Sequence, residues 1–279
     1  WSEQYGEPEH PDFVSFHWSG WVGPSSPKKA DELRSLTPEQ LVGYLNSWEP
    51  SGRWDEPSRE GLANELQALV VSNPGPYVEA ALRFRALRPI FLRAFVMGLR
   101  GAASQGKPLE WAGVLELLKW IVNQETGLVE EAAPEPGAED RDLSWTKKAV
   151  ADFISDALAH QDREPPYALR RDVWSVLAPL ADSADPTPEH ERRYGPPNMD
   201  PFTLSLNTTR GQALHGVVNY LWWVGRHTEI ERMDPRRLLA MCPEAQELLE
   251  RHLRPDRDPS LAIRSVYGQA VPALAYFDL

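Results

Sequence analysis

NTTRGQALHGVVNYLWWVGRH, residues 207–227, is the stretch on which the fold turns. On a helix of about 3.6 residues per turn, Arg210, Leu214, Val217, Leu221 and Val224 form one stripe. Gln212, His215, Asn219, Trp223 and Arg226 form a second, polar one. Arg210 opens the apolar stripe, in or near the first turn, where the helix dipole disfavours a cation. A charge left unpaired on a buried stripe is costly. Arg210 is therefore expected to meet a carboxylate or a helix-end carbonyl from another segment. Arg226, on the polar stripe, is expected to have no such structural duty.

The C-terminal stretch DPSLAIRSVYGQAVPALAYF repeats the device. Asp258 or Ser260 can cap a helix whose first turn suits Pro259. Leu261, Arg264, Gly268, Val271 and Leu274 then align, with Arg264 near the start of the stripe and Pro272 set to kink the helix.

Helix signals extend outward from these two segments. Thr37-Pro38-Glu39-Gln40 is a capping box with proline at the first helical position, opening a helix to about Trp48. Ser58 caps the next, which carries Leu62, Leu66, Leu69 and Val70 on one face and ends at Asn73-Pro74. Further helices are expected at about 75–87, 89–105, 109–123, 144–160, 167–182, 203–226, 235–254 and 259–277. No alternating apolar and polar run and no Asn-Gly or Asp-Gly hairpin signal appears. The expected fold is all-α, about ten helices in antiparallel neighbours, as an irregular HEAT-like solenoid or a helical bundle. Residues 1–36 read as an irregular aromatic-rich segment and 37–279 as the helical domain, with loops at 124–143 and 183–202. The first loop contains the acidic run 128–142 and the second five prolines around HERRY, 190–194.

Arg264, on an inward stripe just after an aspartate at a helix start, resembles the Asp…Val-Arg ladder of HEAT-type repeats, with Ile263 in place of the usual valine. The resemblance implies that the arginine pairs with an acid of the adjacent repeat. Residues 207–227 and 258–276 also resemble C-terminal helical regions of large bacterial proteins. Some of those are associated with antiphage defence and carry an N-terminal nucleotide-binding or sirtuin-like part. That likeness implies an accessory helical region and no activity.

Composition narrows the function classes. The chain has 279 residues, eleven tryptophans and a net charge of −12. The charge argues against broad electrostatic binding to nucleic acid or an acidic membrane. A single cysteine, Cys242, excludes an intrachain disulfide framework and fits a reducing cytoplasm. No apolar run approaches the roughly 18 residues that span a bilayer. The start, WSEQYGEPEH, is acidic and lacks methionine, so the chain reads as a piece of a longer polypeptide rather than one with a signal peptide.

Catalytic constellations are absent from the sequence. The seven histidines form no His-Glu-x-x-His, and neither a phosphate-binding Gly-x4-Gly-Lys loop nor a Gly-x-Ser-x-Gly elbow occurs. No cofactor and no metal are expected. Asn207, in a chance glycosylation sequon, reads better as a helix cap. One feature stands out. Residues 81–109 contain no acid, while Arg83, Arg85, Arg88, Arg93, Arg100 and Lys107 are all basic. These either pair with acids of neighbouring helices and of the 128–142 run, or form a patch for an acidic partner. Phe84, Phe91 and Phe95, interleaved with them, suit either base stacking or a core.

The expectation is a non-catalytic scaffold or partner-sensing region of a larger cytoplasmic bacterial protein. Its partner is expected to be protein, an upstream domain of the same polypeptide or another subunit, and not membrane. The alternatives are a nucleic-acid-sensing module built on residues 83–107 and an all-α enzyme. Candidate partner-binding residues are Arg83, Arg88, Arg93, Arg100, Arg210, Asn219, Trp223, Arg226 and Arg264.

Overall fold

The computed structural model describes residues 23–53, 56–125, 140, 142–228 and 237–277. The chain is all-α: 71% of it is helical, and no strand occurs among the described residues. The helices are α1 (Ala30–Leu33), α2 (Pro38–Ser47), α3 (Arg59–Ser72), α4 (Gly75–Glu79), α5 (Pro89–Ser104), α6 (Trp111–Val122) and α7 (Ser144–Ala159). They continue as α8 (Arg170–Ala181), α9 (Pro188–Tyr194), α10 (Pro201–Leu206), α11 (Thr209–His227), α12 (Arg237–Met241), α13 (Pro243–Leu253) and α14 (Leu261–Phe277). Two short 3-10 turns, Ala81–Ala86 and Tyr167–Leu169, precede α5 and α8.

Local signals set several of these ends. The Thr37 hydroxyl accepts from the Gln40 N–H at 3.3 Å, and the Gln40 side chain accepts from the Thr37 N–H at 2.9 Å, so the capping box forms. Ser58 caps α3 by accepting from the Gly61 N–H at 3.1 Å. The stretch 75–87 is not one helix but α4 followed by a 3-10 turn. Residues 203–226 break between α10 and α11 at Asn207-Thr208. The described part of 235–254 breaks at Cys242, where Pro243 begins α13.

The helices fall into two rows. In the first, α3, α5, α7, α11 and α14 succeed one another side by side and run in the same direction. Gly98 and Gly101 of α5 lie against Val70 and Val71 of α3. Thr146 of α7 donates to the Pro89 carbonyl, and Ser104 near the other end of α5 donates to Asp156. Asn219 of α11 donates to the Ser155 carbonyl and Arg226 to that of Leu158. Arg210 faces Asp258, and Trp222 packs on Tyr276 and Phe277 of α14.

The second row runs back against the first. Trp111 of α6 stacks on Phe153 of α7, while Lys147 reaches the Gln124 carbonyl beyond the end of α6. Leu177 and Trp174 of α8 meet Gly216 and Tyr220 of α11. The Tyr267 hydroxyl of α14 donates to the Leu249 carbonyl of α13. From α5 onward consecutive long helices are thus antiparallel, and a single apolar core runs between the rows from Leu33 to Phe277.

Three expectations meet the structure differently. Residues 1–22, with most of the aromatic N-terminal segment, and most of 128–142 lie outside the described residues. The stretch 183–202 is not simply a loop, because it contains α9 and leads into α10. The stripe Leu261–Arg264–Gly268–Val271 is not buried. Leu261 and Val271 are 58% and 57% exposed, and the covered side of α14 is instead Ala262, Ile263, Val266, Tyr267, Ala270, Leu274 and Phe277.

Candidate functional site

Arg210 lies at the seam between two antiparallel pairs, α8/α11 and α13/α14. Its side chain is 16% exposed, and its Nε is 3.3 Å from Oδ2 of Asp258, itself 4% exposed. Its Nη1 and Nη2 donate to the carbonyls of Ser183 and Pro186, each at 2.9 Å. Those carbonyls open the connection that leads back to α11. The expected carboxylate and the expected carbonyls are both present.

Asp258 is shared more widely. His252 bridges Asp258 and Asp182, with Nδ1 at 2.8 Å from one and Nε2 at 3.1 Å from the other. Arg251 forks onto both oxygens of Asp182 at 2.9 Å. The HERRY segment fastens the same seam. Glu191 of α9 accepts from the Ser260 hydroxyl at 2.7 Å and from the Ala262 N–H at 2.9 Å, a carboxylate at the start of α14 where the dipole favours one. Asp185 accepts from the Thr209 N–H at 2.6 Å and sits 3.3 Å from His190. Burial works against the Asp185 charge, but the bonds from His190 and Thr209 outweigh it and hold its carboxyl below the ordinary range. The cap of α11 is therefore Asp185. Asn207 instead ends α10, with its side chain on the Thr203 carbonyl.

The stripe read as polar on α11 is largely enclosed. Trp223 is fully buried, and its indole N–H has no partner among the described residues. Asn219 is half-buried against Ser155. Arg226 is 17% exposed and donates at 2.6 Å to Glu164, which also meets His227. This stripe contacts α7, so its polar groups cross-link helices instead of facing water. Arg264 is half-buried and reaches the carbonyls of Leu253 and Asp258 at 3.4 and 2.8 Å. No carboxylate meets it among the described residues.

The basic stretch is paired in the same way. Arg83 meets Glu39 and Arg88 meets Glu49, each at 2.6 Å. Arg93 forks onto Asp140, in the acidic run, at 2.7 and 3.1 Å. Arg100 lies 4.0 and 3.9 Å from Asp152 and Asp156 of α7, and Lys107 donates to the last carbonyls of α3. Phe84, Phe91 and Phe95 are fully buried, and Phe84 stacks on Phe95. They belong to the core and offer no base-stacking platform.

A cluster that sequence reasoning missed joins α8, α11 and α13. Arg170 donates to the Tyr220 hydroxyl and to Glu244, both at 2.7 Å, and to the Met241 carbonyl at 2.8 Å. Tyr220 in turn donates to Glu244 at 2.7 Å. Burial opposes the Glu244 charge, but the bonds from Tyr220 and Arg170 hold its carboxyl below the ordinary range. No local motif marks these residues, because the cluster assembles only when the rows pack. Burial pushes the adjacent Cys242 thiol up to about 12, which leaves it a poor nucleophile at neutral pH.

Other arrangements also fall short of catalysis. Ser205 Oγ lies 3.1 Å from His215 Nε2, but the hydroxyl donates to the Phe202 carbonyl and is not poised for attack. Burial lowers the His215 pKa to about 4. A cleft of about 410 Å³ between the Ala81–Ala86 turn and α6 is lined by Val78, Arg83, Glu110 and Glu116 among others. Glu110 is already occupied there, capping α6 through the N–H groups of Ala112 and Gly113. Among the described residues no cluster could hold a metal ion, and no helix is long and apolar enough to cross a membrane. Comparison with family models, with curated proteins and with solved structures finds no match for this chain.

Proposed function

We propose that this chain is a non-catalytic scaffold or partner-sensing region, an irregular HEAT-like stack of helix pairs within a larger cytoplasmic protein, and that its partner is protein. One observation supports the reading. The candidate arginines Arg83, Arg88, Arg93, Arg100, Arg210, Arg226 and Arg264 each meet a carboxylate or a backbone carbonyl of another segment. Two-row packing with equivalent helices parallel supports the stacked arrangement, in which each unit contacts only its neighbours. The accessory helical region implied by the bacterial antiphage-associated resemblance is of the same kind.

The reading is tested against the nucleic-acid alternative by titrating the protein into labelled single-stranded and duplex oligonucleotides of mixed sequence. A scaffold gives no salt-sensitive binding at physiological ionic strength. Binding that weakens steeply with salt and disappears in the Arg93→Glu, Arg100→Glu double variant would replace the scaffold with a nucleic-acid sensor.

A further inference from the structure

Trp222 beside Tyr276 sets the register between the parallel helices α11 and α14. In that register Arg264 stands level with Arg210, Gly268 with Leu214, Val271 with Val217, Ala275 with Leu221 and Tyr276 with Trp222. The flank of α11 between Arg210 and Trp222 is the one that α14 covers, with Asp258 meeting Arg210 at the start of the covering helix. On the level flank of α14, Leu261 and Val271 are 58% and 57% exposed, and a Cβ on Gly268 would meet nothing within 4 Å.

The two arginines are held alike up to one contact. Each donates to two backbone carbonyls that precede its own helix: Arg210 to Ser183 and Pro186, near the start of the connection to α11, and Arg264 to Leu253, the last residue of α13, and Asp258, just before α14. Arg210 then has a carboxylate at the entry to the following helix, whereas Arg264 has none among the described residues. Residues 259–277 contain no acid, so the flank itself offers Arg264 no counter-charge.

We infer that this flank of α14 is a docking face for one more α-helix, supplied by a protein partner and beginning with a carboxylate that pairs with Arg264. Charge selects the occupant. A second copy meeting this flank through its own residues 259–277 brings no carboxylate to Arg264. Nor can a second copy easily offer the opposite end of the row, because the corresponding flank of α3 is covered. There α1 packs on α3, the Ala30 N–H donates to Glu65 at 2.9 Å, and the Ser25 carbonyl lies where a Cβ on Gly61 would stand. The inference rests on the scaffold reading and names the chemistry of the partner.

The test appends a second copy of residues 243–277 after Leu279 through a glycine-serine linker. That segment already presents Asp258 to Arg210. Each fusion is compared with its own unfused parent. The expected result is a rise in melting temperature of roughly 2–4 °C and protection of the appended segment from protease. Both should be lost with Arg264→Gln or Val271→Lys in the parent helix, and with Asp258→Asn in the appended copy alone. An unchanged melting temperature with rapid cleavage of the appended segment overturns the inference. So does a rise that survives all three substitutions, since the contact would then lie elsewhere. Neither result bears on oligonucleotide binding, so failure of the docking face is distinguishable from failure of the scaffold reading.

Discussion

Arg226 stands on the stripe that the sequence reads as polar, yet its environment is as closed as that of Arg210. A guanidinium has five donors and no acceptor; here Nη2 donates to the Leu158 carbonyl and to Glu164, which is 11% exposed, while the buried Nε has no partner among the described residues. Arg226→Ala is therefore expected to destabilise the protein, by up to about 3–5 kcal/mol, the range for breaking a buried pair, with His227 still beside Glu164. Urea unfolding checks this, and a midpoint unchanged from the parent would show that Glu164 is solvated after the substitution. His215 makes a second prediction. Its pKa is lowered from 6.5 to about 4 by burial, so between those values the unfolded chain binds a proton that the folded chain does not. Stability should then fall as pH drops from about 6.5 towards 4, by at most about 1.4 kcal/mol per unit. His215→Gln should flatten that slope in unfolding curves recorded across the window. An identical slope in both proteins would assign the acid sensitivity to other groups.

At the scale of the helices, two glycines on first-row helices, α11 and α14, are expected to respond in opposite senses to the same change. A Cβ on Gly211 would come within 2.2 Å of the Ser205 carbonyl, where α10 crosses the start of α11, whereas Gly268 faces open space. Alanine in a helix interior ordinarily gains about 0.5–1 kcal/mol over glycine. Gly268→Ala should show that gain, and Gly211→Ala should lower the melting temperature instead. Equal gains at both sites would mean that α10 does not press on α11. The helices themselves were legible where capping and periodicity agree, as at Thr37, Ser58 and the Arg210 stripe. Helices α9 and α10 were legible too: Thr187-Pro188 and Asp200-Pro201 each place a capping residue before proline at the first helical position. Proline content and polarity drew the reading towards a loop. The stripe on α14 carries the right pattern for burial, but pattern alone does not say whether a neighbouring helix is there to bury it.

Across the whole molecule, the antiparallel pairs α6/α7, α8/α11 and α13/α14 lie side by side with equivalent helices parallel, and charged groups concentrate at the seams. Arg170 with Glu244, Arg251 with Asp182 and Arg210 with Asp258 all join the pair α8/α11 to the pair α13/α14. The all-α class and the need for a partner at Arg210 follow from the sequence by local geometry. The identity of that partner does not, because Asp258 becomes a neighbour only through the register of α14 on α11. Such pairs hold successive helix pairs together, so Arg210 and Asp258 should be energetically coupled. A double-mutant cycle on Arg210→Ala and Asp258→Ala, read by equilibrium urea unfolding, tests it most directly. Each single variant is expected to be strongly destabilised, and the double variant to cost less than the two added together, with a coupling of roughly 1–3 kcal/mol. Additive costs, or an Arg210→Ala variant as stable as the parent, would contradict it.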